Sequence, residues 1–509
     1  MPNVLYDALF TPHRLNRARY IGETAAGDGY SYKQFLQLSS KIACTLVAGG
    51  VTPGDRVASQ VKKSIESLAL YTACIQCGCV FLPLNTAYTP REVSYFVGDA
   101  EPCLLVCDSA AESALSDTLA ADYGKPACTI MTLNADGSGS LMEAAMEQPE
   151  HFQPVDRTAS DLAAILYTSG TTGRSKGAML THANLLSNAQ TLVDYWQFTQ
   201  SDILLHALPV YHTHGLFVAC NTIALAGASM IFQPGFQLDC VIDQLPHATT
   251  MMGVPTFYTR LLSDDRFDSE LAQHIRLFIS GSAPLLAETH EAFAARTGHK
   301  ILERYGMTET NMNTSNPYDG DRRAGTVGFP LPGVEVKICN PDSGEDLPAN
   351  TIGMLQVRGP NVFSGYWRMP EKTAEELLDS GFFITGDLAK IDSHGYVHIV
   401  GRDKDLIISG GFNIYPKELE LLLDEQPGVL ESAVIGVPHA DFGEGVVAVL
   451  VEKNNETIDS DGIAKALSAT IAKFKQPKKY VVVSELPRNA MGKVQKNVMR
   501  DSYATIFSE

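Results

Sequence analysis

The segment Thr168-Ser169-Gly170-Thr171-Thr172-Gly173-Arg174-Ser175-Lys176-Gly177 decides how the rest of the chain is read. It follows an apolar run at residues 162–167 that reads as a buried strand, and it leads toward a helix expected near His182. A loop this dense in glycine and hydroxyl groups can wrap backbone N–H donors around phosphate oxygens, with one lysine as a point charge. It is not a Walker A loop, because Ser175 rather than glycine precedes Lys176 and no Ser or Thr follows it. A nucleotide phosphate is therefore expected in a different scaffold.

Working outward, five further segments carry polar chemistry in order along the chain. They are Leu208-Pro209-Val210-Tyr211-His212-Thr213-His214-Gly215, Tyr305-Gly306-Met307-Thr308-Glu309-Thr310, Thr385-Gly386-Asp387-Leu388, Gly401-Arg402-Asp403-Lys404-Asp405 and Pro487-Arg488-Asn489-Ala490-Met491-Gly492-Lys493. With the glycine-rich loop, these resemble the core motifs of the adenylate-forming superfamily, which holds acyl-CoA synthetases, peptide-synthetase adenylation domains and luciferases. The likeness keeps the superfamily's order and covers most of the chain.

Length and composition fit such an enzyme. At 509 residues the chain is too long for one core and is expected to form about three units. Its 45% hydrophobic and 19% charged residues are those of a globular protein. No apolar run reaches the ~20 residues that span a bilayer. Residues 1–20 lack the apolar core of a secretory signal, so a cytoplasmic location is expected. The formal net charge of −19 disfavours nucleic acid or an anionic membrane as partner, so anionic substrates must be drawn in by local clusters of cations and N–H groups. Cys74, Cys77 and Cys79 are read as small apolar packing groups rather than metal ligands.

From residue 30 to about 199, expected helices (32–49, 63–77) alternate with short apolar strands (80–84, 103–107, 162–167), and a second such set runs from 206 to about 301. Residues 325–400 change to short strands and Gly/Asp turns, and the segment after 401 reads as a compact α+β unit. The expected fold class is α/β: a large N-terminal domain of α/β sandwich subdomains with a small β-rich subdomain, then a small α+β C-terminal domain. The expected boundary separates 1–401, for ATP and acid binding, from 402–509. The resemblance implies that the C-terminal domain is mobile.

The resemblance also implies the chemistry. A carboxylate attacks the α-phosphorus of ATP to give an acyl-adenylate and pyrophosphate, and the thiol of coenzyme A then displaces AMP. Thr168, Ser169, Gly170, Thr171, Thr172, Gly173 and Lys176 would meet the β,γ-phosphates, with Thr172 and Glu309 holding Mg²⁺ through hard oxygen ligands. Ser280 and Gly281 would lie against the adenine, as would the run Glu303, Arg304, Tyr305, Gly306, Met307 and Thr308. Asp387 and Arg402 would take the ribose. Lys493 would bridge the substrate carboxylate and the α-phosphate, Lys404 would mark the hinge, and Ser409, Gly410 and Gly411 would line the pantetheine path. His212 falls where the superfamily gates the acyl and CoA tunnel, which argues against zinc on His206, His212 and His214.

The segments around the acyl end are polar: Thr213 and His214, Pro255-Thr256-Phe257-Tyr258-Thr259-Arg260, Ser282, and Thr310-Asn311-Met312-Asn313-Thr314. Arg260 beside the acid would give a bidentate partner to a second carboxylate. These segments resemble the malonyl-CoA (methylmalonyl-CoA) synthetases. That likeness implies Arg260, Ser282 and His214 on the free carboxylate, with Thr213 and Met312 facing the α-carbon. The expected function is ATP-dependent ligation of a small dicarboxylic acid to coenzyme A. The alternatives are a short-chain or aryl acyl-CoA ligase and, from another class, a non-catalytic nucleotide-binding scaffold. Related synthetases are controlled by lysine acetylation, which implies a lysine acetyltransferase acting on Lys493.

Overall fold

The computed structural model describes the chain apart from residues 1, 125–127, 169–174, 410–411, 440, 454–455, 472, 490–491 and 509. The chain folds as two compact units, Met1–Glu335 with Val357–Phe383, and Val336–Gln356 with Ile384–Glu509. The β-rich segments 336–356 and 384–401 thus group with the C-terminal part of the chain.

In the first unit a six-stranded sheet runs Thr129–Thr132, Leu104–Cys107, Arg56–Gln60, Val80–Pro83, Leu162–Thr168, Lys176–Thr181. Its first five strands are parallel, and helices cover its faces, so Leu104–Cys107 and Val80–Pro83 are apolar along their whole length rather than alternating. The helix Ile65–Cys77 begins on a Ser64–Ser67 capping box and stops at Gly78, whose φ of 73° is the left-handed region that glycine reaches at little cost. It is buried almost all round, which is why Cys74, Cys77 and Cys79 pack there as small apolar groups.

The phosphate loop is not followed directly by a helix. Lys176–Thr181 is a strand antiparallel to Leu162–Thr168, and the helix His182–Tyr195 follows it on a Thr181–Asn184 capping box. Ala178, Leu180 and Thr181 are buried, and the run is too short and apolar for its period to distinguish strand from helix start.

A nine-stranded sheet completes this unit, in the order Phe329–Pro330, Asn311–Ser315, Leu302–Met307, Leu277–Ser280, Thr250–Gly253, Ile203–His206, Ser229–Phe232, Arg19–Gly22, Gly29–Ser31. From Leu302–Met307 to Arg19–Gly22 the pairs are parallel, whereas Leu302–Met307 and Asn311–Ser315 form an antiparallel hairpin. The strand ends at Ser280 and Met307 carry the residues of interest.

The second unit holds most of the four-stranded sheet Glu335–Cys339, Gly353–Arg358, Phe383–Ile391, Val397–Arg402. A separate sheet pairs Val429–His439 with Gly443–Glu452, Ile407–Ser409 and Lys479–Val483 beyond it. The helices Pro416–Asp424 and Ser460–Thr470 close an aliphatic core around Val434, Val446, Ala448 and Leu450. Among the described residues no helix is long and apolar enough to cross a membrane.

Candidate active site

At the end of Leu277–Ser280 the chain turns through Gly281 and Ser282, and Ser282 has a φ of 72°, a left-handed conformation costly for a side chain other than glycine. That turn presents the Ser282 hydroxyl 3.1 Å from Nδ1 of His214. His214 opens a π-helical turn, His214–Cys220, a form that recurs at functional sites. Burial, then the charge of Arg304, hold the His214 imidazole well below its usual pKa, so it is neutral at pH 7. Nδ1 is engaged by the serine hydroxyl, and Nε2 has no hydrogen-bond partner among the described residues.

Arg304 lies on the adjacent strand, is 3% exposed, and packs so close to Gly281 that a Cβ there would collide with its guanidinium. Nε and Nη2 of this side chain have no hydrogen-bond partner among the described residues. Burial alone pushes its pKa down to about 9, against a small opposing effect of Tyr258. Such a group is costly to bury without a counter-charge. On the hairpin, Oδ1 of Asn311 accepts the hydroxyl of Thr213, the residue before the π-helical turn, at 3.3 Å, and Met312 is fully buried. Asn311 has a φ of 49°, and a Cβ at Gly306 would strike the Asn311 carbonyl, so the tight hairpin requires that glycine. The Asn311 side-chain Nδ2 and the Ser280 hydroxyl also lack hydrogen-bond partners among the described residues. Buried polar atoms without partners among the described residues are thus carried by the π-helical turn and by the strands Leu277–Ser280, Leu302–Met307 and Asn311–Ser315.

Arg260 is elsewhere in character. It is exposed on the helix Pro255–Leu262, with its guanidinium 5.9 Å from the Phe236 ring centroid. The enclosed cation beside Ser282 and His214 is Arg304, a residue the sequence associates with the adenine segment.

Of the phosphate loop, Ser169, Gly170, Thr171, Thr172 and Gly173 lie outside the described residues. Thr168 and Lys176 pair across the hairpin. The Lys176 ammonium stands 3.2 Å from both Glu376 oxygens and 3.2 Å from the Tyr366 hydroxyl. Tyr366 donates to Glu376 at 2.6 Å and lies 3.1 Å from Oε1 of buried Glu309. The carboxylate of Glu303 accepts the Leu285 N–H at 3.3 Å, while Tyr305, Gly306, Met307 and Thr308 are half-buried along the strand end. His212 is half-buried, its ring 5.0 Å from that of Tyr211. His206 is structural: Nδ1 is 2.9 Å from the buried Lys63 ammonium and Nε2 is 2.8 Å from the Gly215 carbonyl oxygen.

In the second unit Asp387 and Arg402 face each other across antiparallel strands, Nε to Oδ1 2.8 Å. The Thr385 hydroxyl accepts the Asp387 N–H at 3.0 Å, and Arg402 donates to the Thr385 carbonyl at 3.2 Å. Lys404 sits exposed in the short turn Asp403–Asp405, and Ser409 is buried at the end of Ile407–Ser409. Gly410 and Gly411 lie outside the described residues. Lys493 closes a loop in which its N–H donates to the Asn489 side chain at 3.0 Å and its carbonyl accepts the Asn489 N–H at 2.9 Å. Arg488 donates to the Gly492 carbonyl at 2.6 Å, bracing the same turn.

Residues 13–367 match the AMP-binding enzyme family, and residues 418–493 match the AMP-binding enzyme C-terminal domain. The chain is an AMP-binding enzyme. It superposes on ATP-bound MatB from Rhodopseudomonas palustris with a TM-score of 0.96 and 57% identity, each chain covered in full. It is 32% identical to the malonate–CoA ligase of Arabidopsis thaliana over 533 residues, covering 96% of this AMP-binding enzyme and 87% of the relative. It is also 34% identical to the indoleacetate–CoA ligase of Aromatoleum aromaticum over 488 residues, 93% of each. Whole-chain identity of this order spans ligases of quite different acids, so the acid must be argued from the residues.

Proposed function

We propose that this AMP-binding enzyme ligates malonate to coenzyme A through an acyl-adenylate, releasing AMP and pyrophosphate. One observation carries the choice of a dicarboxylate: the enclosed guanidinium of Arg304, with donors unsatisfied among the described residues and neutral His214 and Ser282 beside it. The free carboxylate of a short diacid neutralises that charge and accepts those donors, whereas acetate or butyrate leaves the cation unpaired at a cost of several kcal/mol. The likeness to MatB and to a malonate–CoA ligase supports the same acid. In this reading Arg304 takes the role expected of Arg260, while Thr213 and Met312 stand at the α-carbon. A methyl group there changes the fit by only ~1–3 kcal/mol, so methylmalonate is a natural second substrate.

The first half-reaction brings one anion against another, so the residues must neutralise charge. Lys176 and the loop 168–173 serve the β,γ-phosphates, Asp387 and Arg402 the ribose, and Lys493 the reacting carboxylate and α-phosphate. The buried carboxylate of Glu309 is a hard oxygen donor that suits Mg²⁺, and with Thr172 it would hold that ion. Mg²⁺ bound there would supply further neutralisation of the phosphates. Residues 402–509, hinged at Lys404, act as the mobile domain in this account, with Ser409, Gly410 and Gly411 on the pantetheine path and His212 as the gate of the acyl tunnel. We place the reaction in the cytoplasm.

ATP–pyrophosphate exchange tests the proposal, run with malonate or acetate on the wild type, Arg304→Met, Arg260→Ala and Lys493→Ala. Exchange is expected with malonate, lost in Arg304→Met and Lys493→Ala and kept in Arg260→Ala. Exchange that survives Arg304→Met but fails in Arg260→Ala returns the carboxylate to the exposed arginine.

A further inference from the structure

Lys176 is held by a frame that no motif announces. Residues 364–367 run alongside its strand: the Met179 N–H donates to the Gly365 carbonyl at 3.0 Å, the Ser364 N–H to Met179 at 3.0 Å, and the Trp367 N–H to Gly177 at 2.8 Å. That pairing fixes Tyr366, which is 2% exposed, beside Lys176, with the ammonium 4.2 Å from its ring centroid. The helix Pro370–Glu376 is tied to the same point, because the Thr373 hydroxyl accepts the Tyr366 N–H at 2.9 Å. Thr373 and Glu376 are three residues apart and share a helix face, so this tie also aims the Glu376 carboxylate. Glu376 then meets Lys176 at 3.2 Å, Lys372 at 3.0 Å and the Tyr366 hydroxyl at 2.6 Å.

We propose that Glu376 is a positioning residue for the phosphate-loop cation, holding the Lys176 ammonium in register with Tyr366 and Glu309 so that ATP meets a fixed charge. The inference rests on Lys176 serving the β,γ-phosphates. A lysine side chain carries large rotamer entropy, which a nucleotide would otherwise have to remove on binding. The ammonium has three donors; Glu376 and Tyr366 take two and orient the third. Burial opposes the charge on Glu376, but Tyr366, Lys372 and Lys176 outweigh it and keep the carboxyl below its ordinary range, so the contact persists at neutral pH.

The test uses the full-length enzyme with Glu376→Ala, Glu376→Gln and Lys176→Ala. Steady-state kinetics give KM for ATP and for the acid, product inhibition gives the affinity for pyrophosphate, and calorimetry gives that for AMP. Glu376→Ala is expected to raise KM for ATP about fivefold and to weaken pyrophosphate in parallel. AMP, which lacks the β,γ-phosphates, and the acid should stay within about twofold, and Glu376→Gln, which keeps one acceptor oxygen but not the charge, should fall between. If AMP weakens along with ATP, Glu376 merely supports the fold and the inference is overturned. If Lys176→Ala raises KM for ATP but neither Glu376 variant does, Glu376 does not position the lysine. If Lys176→Ala leaves KM for ATP unchanged, the phosphate role of Lys176 fails, and the inference falls with it.

Discussion

The guanidinium of Arg304 packs against the α-carbon of Gly281 more closely than any side chain at 281 would permit. A single methyl there must displace the guanidinium from its place beside the Gly281–Ser282 turn. Gly281→Ala is therefore expected to lower kcat/KM for malonate by about tenfold or more, in proportion to ~1.4 kcal/mol per decade. The Lys493-dependent chemistry with ATP is unaffected in design, so slow turnover of acetate should change far less. Steady-state comparison of the two acids checks this.

In the proposed reading Arg304, with no counter-charge among the described residues, trades stability for recognition. Replacing an uncompensated buried charge with an apolar side chain of similar length is expected to stabilise the fold by about 1–3 kcal/mol. Arg304→Met should therefore melt higher than the wild type in the absence of substrates, while malonate turnover falls by roughly 30-fold or more. Thermal unfolding and kinetics on the same preparation decide it; a lower melting temperature would show that Arg304 has a structural counter-charge.

Asp387 is buried while its partner Arg402 is about a third exposed. If the pair serves the ribose, Asp387→Ala removes charge-assisted hydrogen bonds worth ~1.5–3 kcal/mol each. KM for ATP should rise by about tenfold or more, with KM for the acid little changed.

Asp424 gives a pH signature in the second unit. Burial raises its pKa to about 6, although the Ser432 hydroxyl donates to it at 2.7 Å and Lys417 lies nearby. A carboxyl whose folded pKa exceeds its unfolded value stabilises the fold below pH ~4 and loses that contribution as pH rises through about 6. Asp424→Asn keeps an acceptor for Ser432 without the buried charge. It should be more stable than wild type at pH 7.5, by an amount on the order of 2 kcal/mol, and the gap should shrink as pH falls through about 6 and close only below pH ~4. A gap that stays constant with pH would assign the gain to packing.

Element types were readable where the apolar period was strong. The expected helix at 32–49 is Tyr32–Ala48, and the expected strand at 162–167 is Leu162–Thr168. Lys176–Thr181 was not readable, because six residues with four small or apolar groups fit either a strand or the approach to a helix. Arg304 had a signal. In a strand, successive side chains alternate faces, so Arg304 must point opposite to Glu303 and Tyr305 and cannot share one surface with both. Arg260 on a short helix had no such constraint, and its exposure followed from helix phase and neighbours. Glu376 had none at all: its approach to Lys176 depends on residues 364–367 pairing with a strand nearly two hundred positions earlier. Lys63, buried against His206, was likewise set by tertiary packing alone.

The measurement that bears most directly on the central claim is an acid panel with ATP, Mg²⁺ and coenzyme A. Malonate, methylmalonate, succinate, acetate, butyrate and benzoate would be compared, reading AMP release and the mass of the acyl-CoA. The account predicts that malonate or methylmalonate gives the highest kcat/KM and that Arg304→Met removes the preference. Faster turnover of acetate, butyrate or benzoate by the wild type would contradict the dicarboxylate assignment while leaving the adenylating chemistry in place.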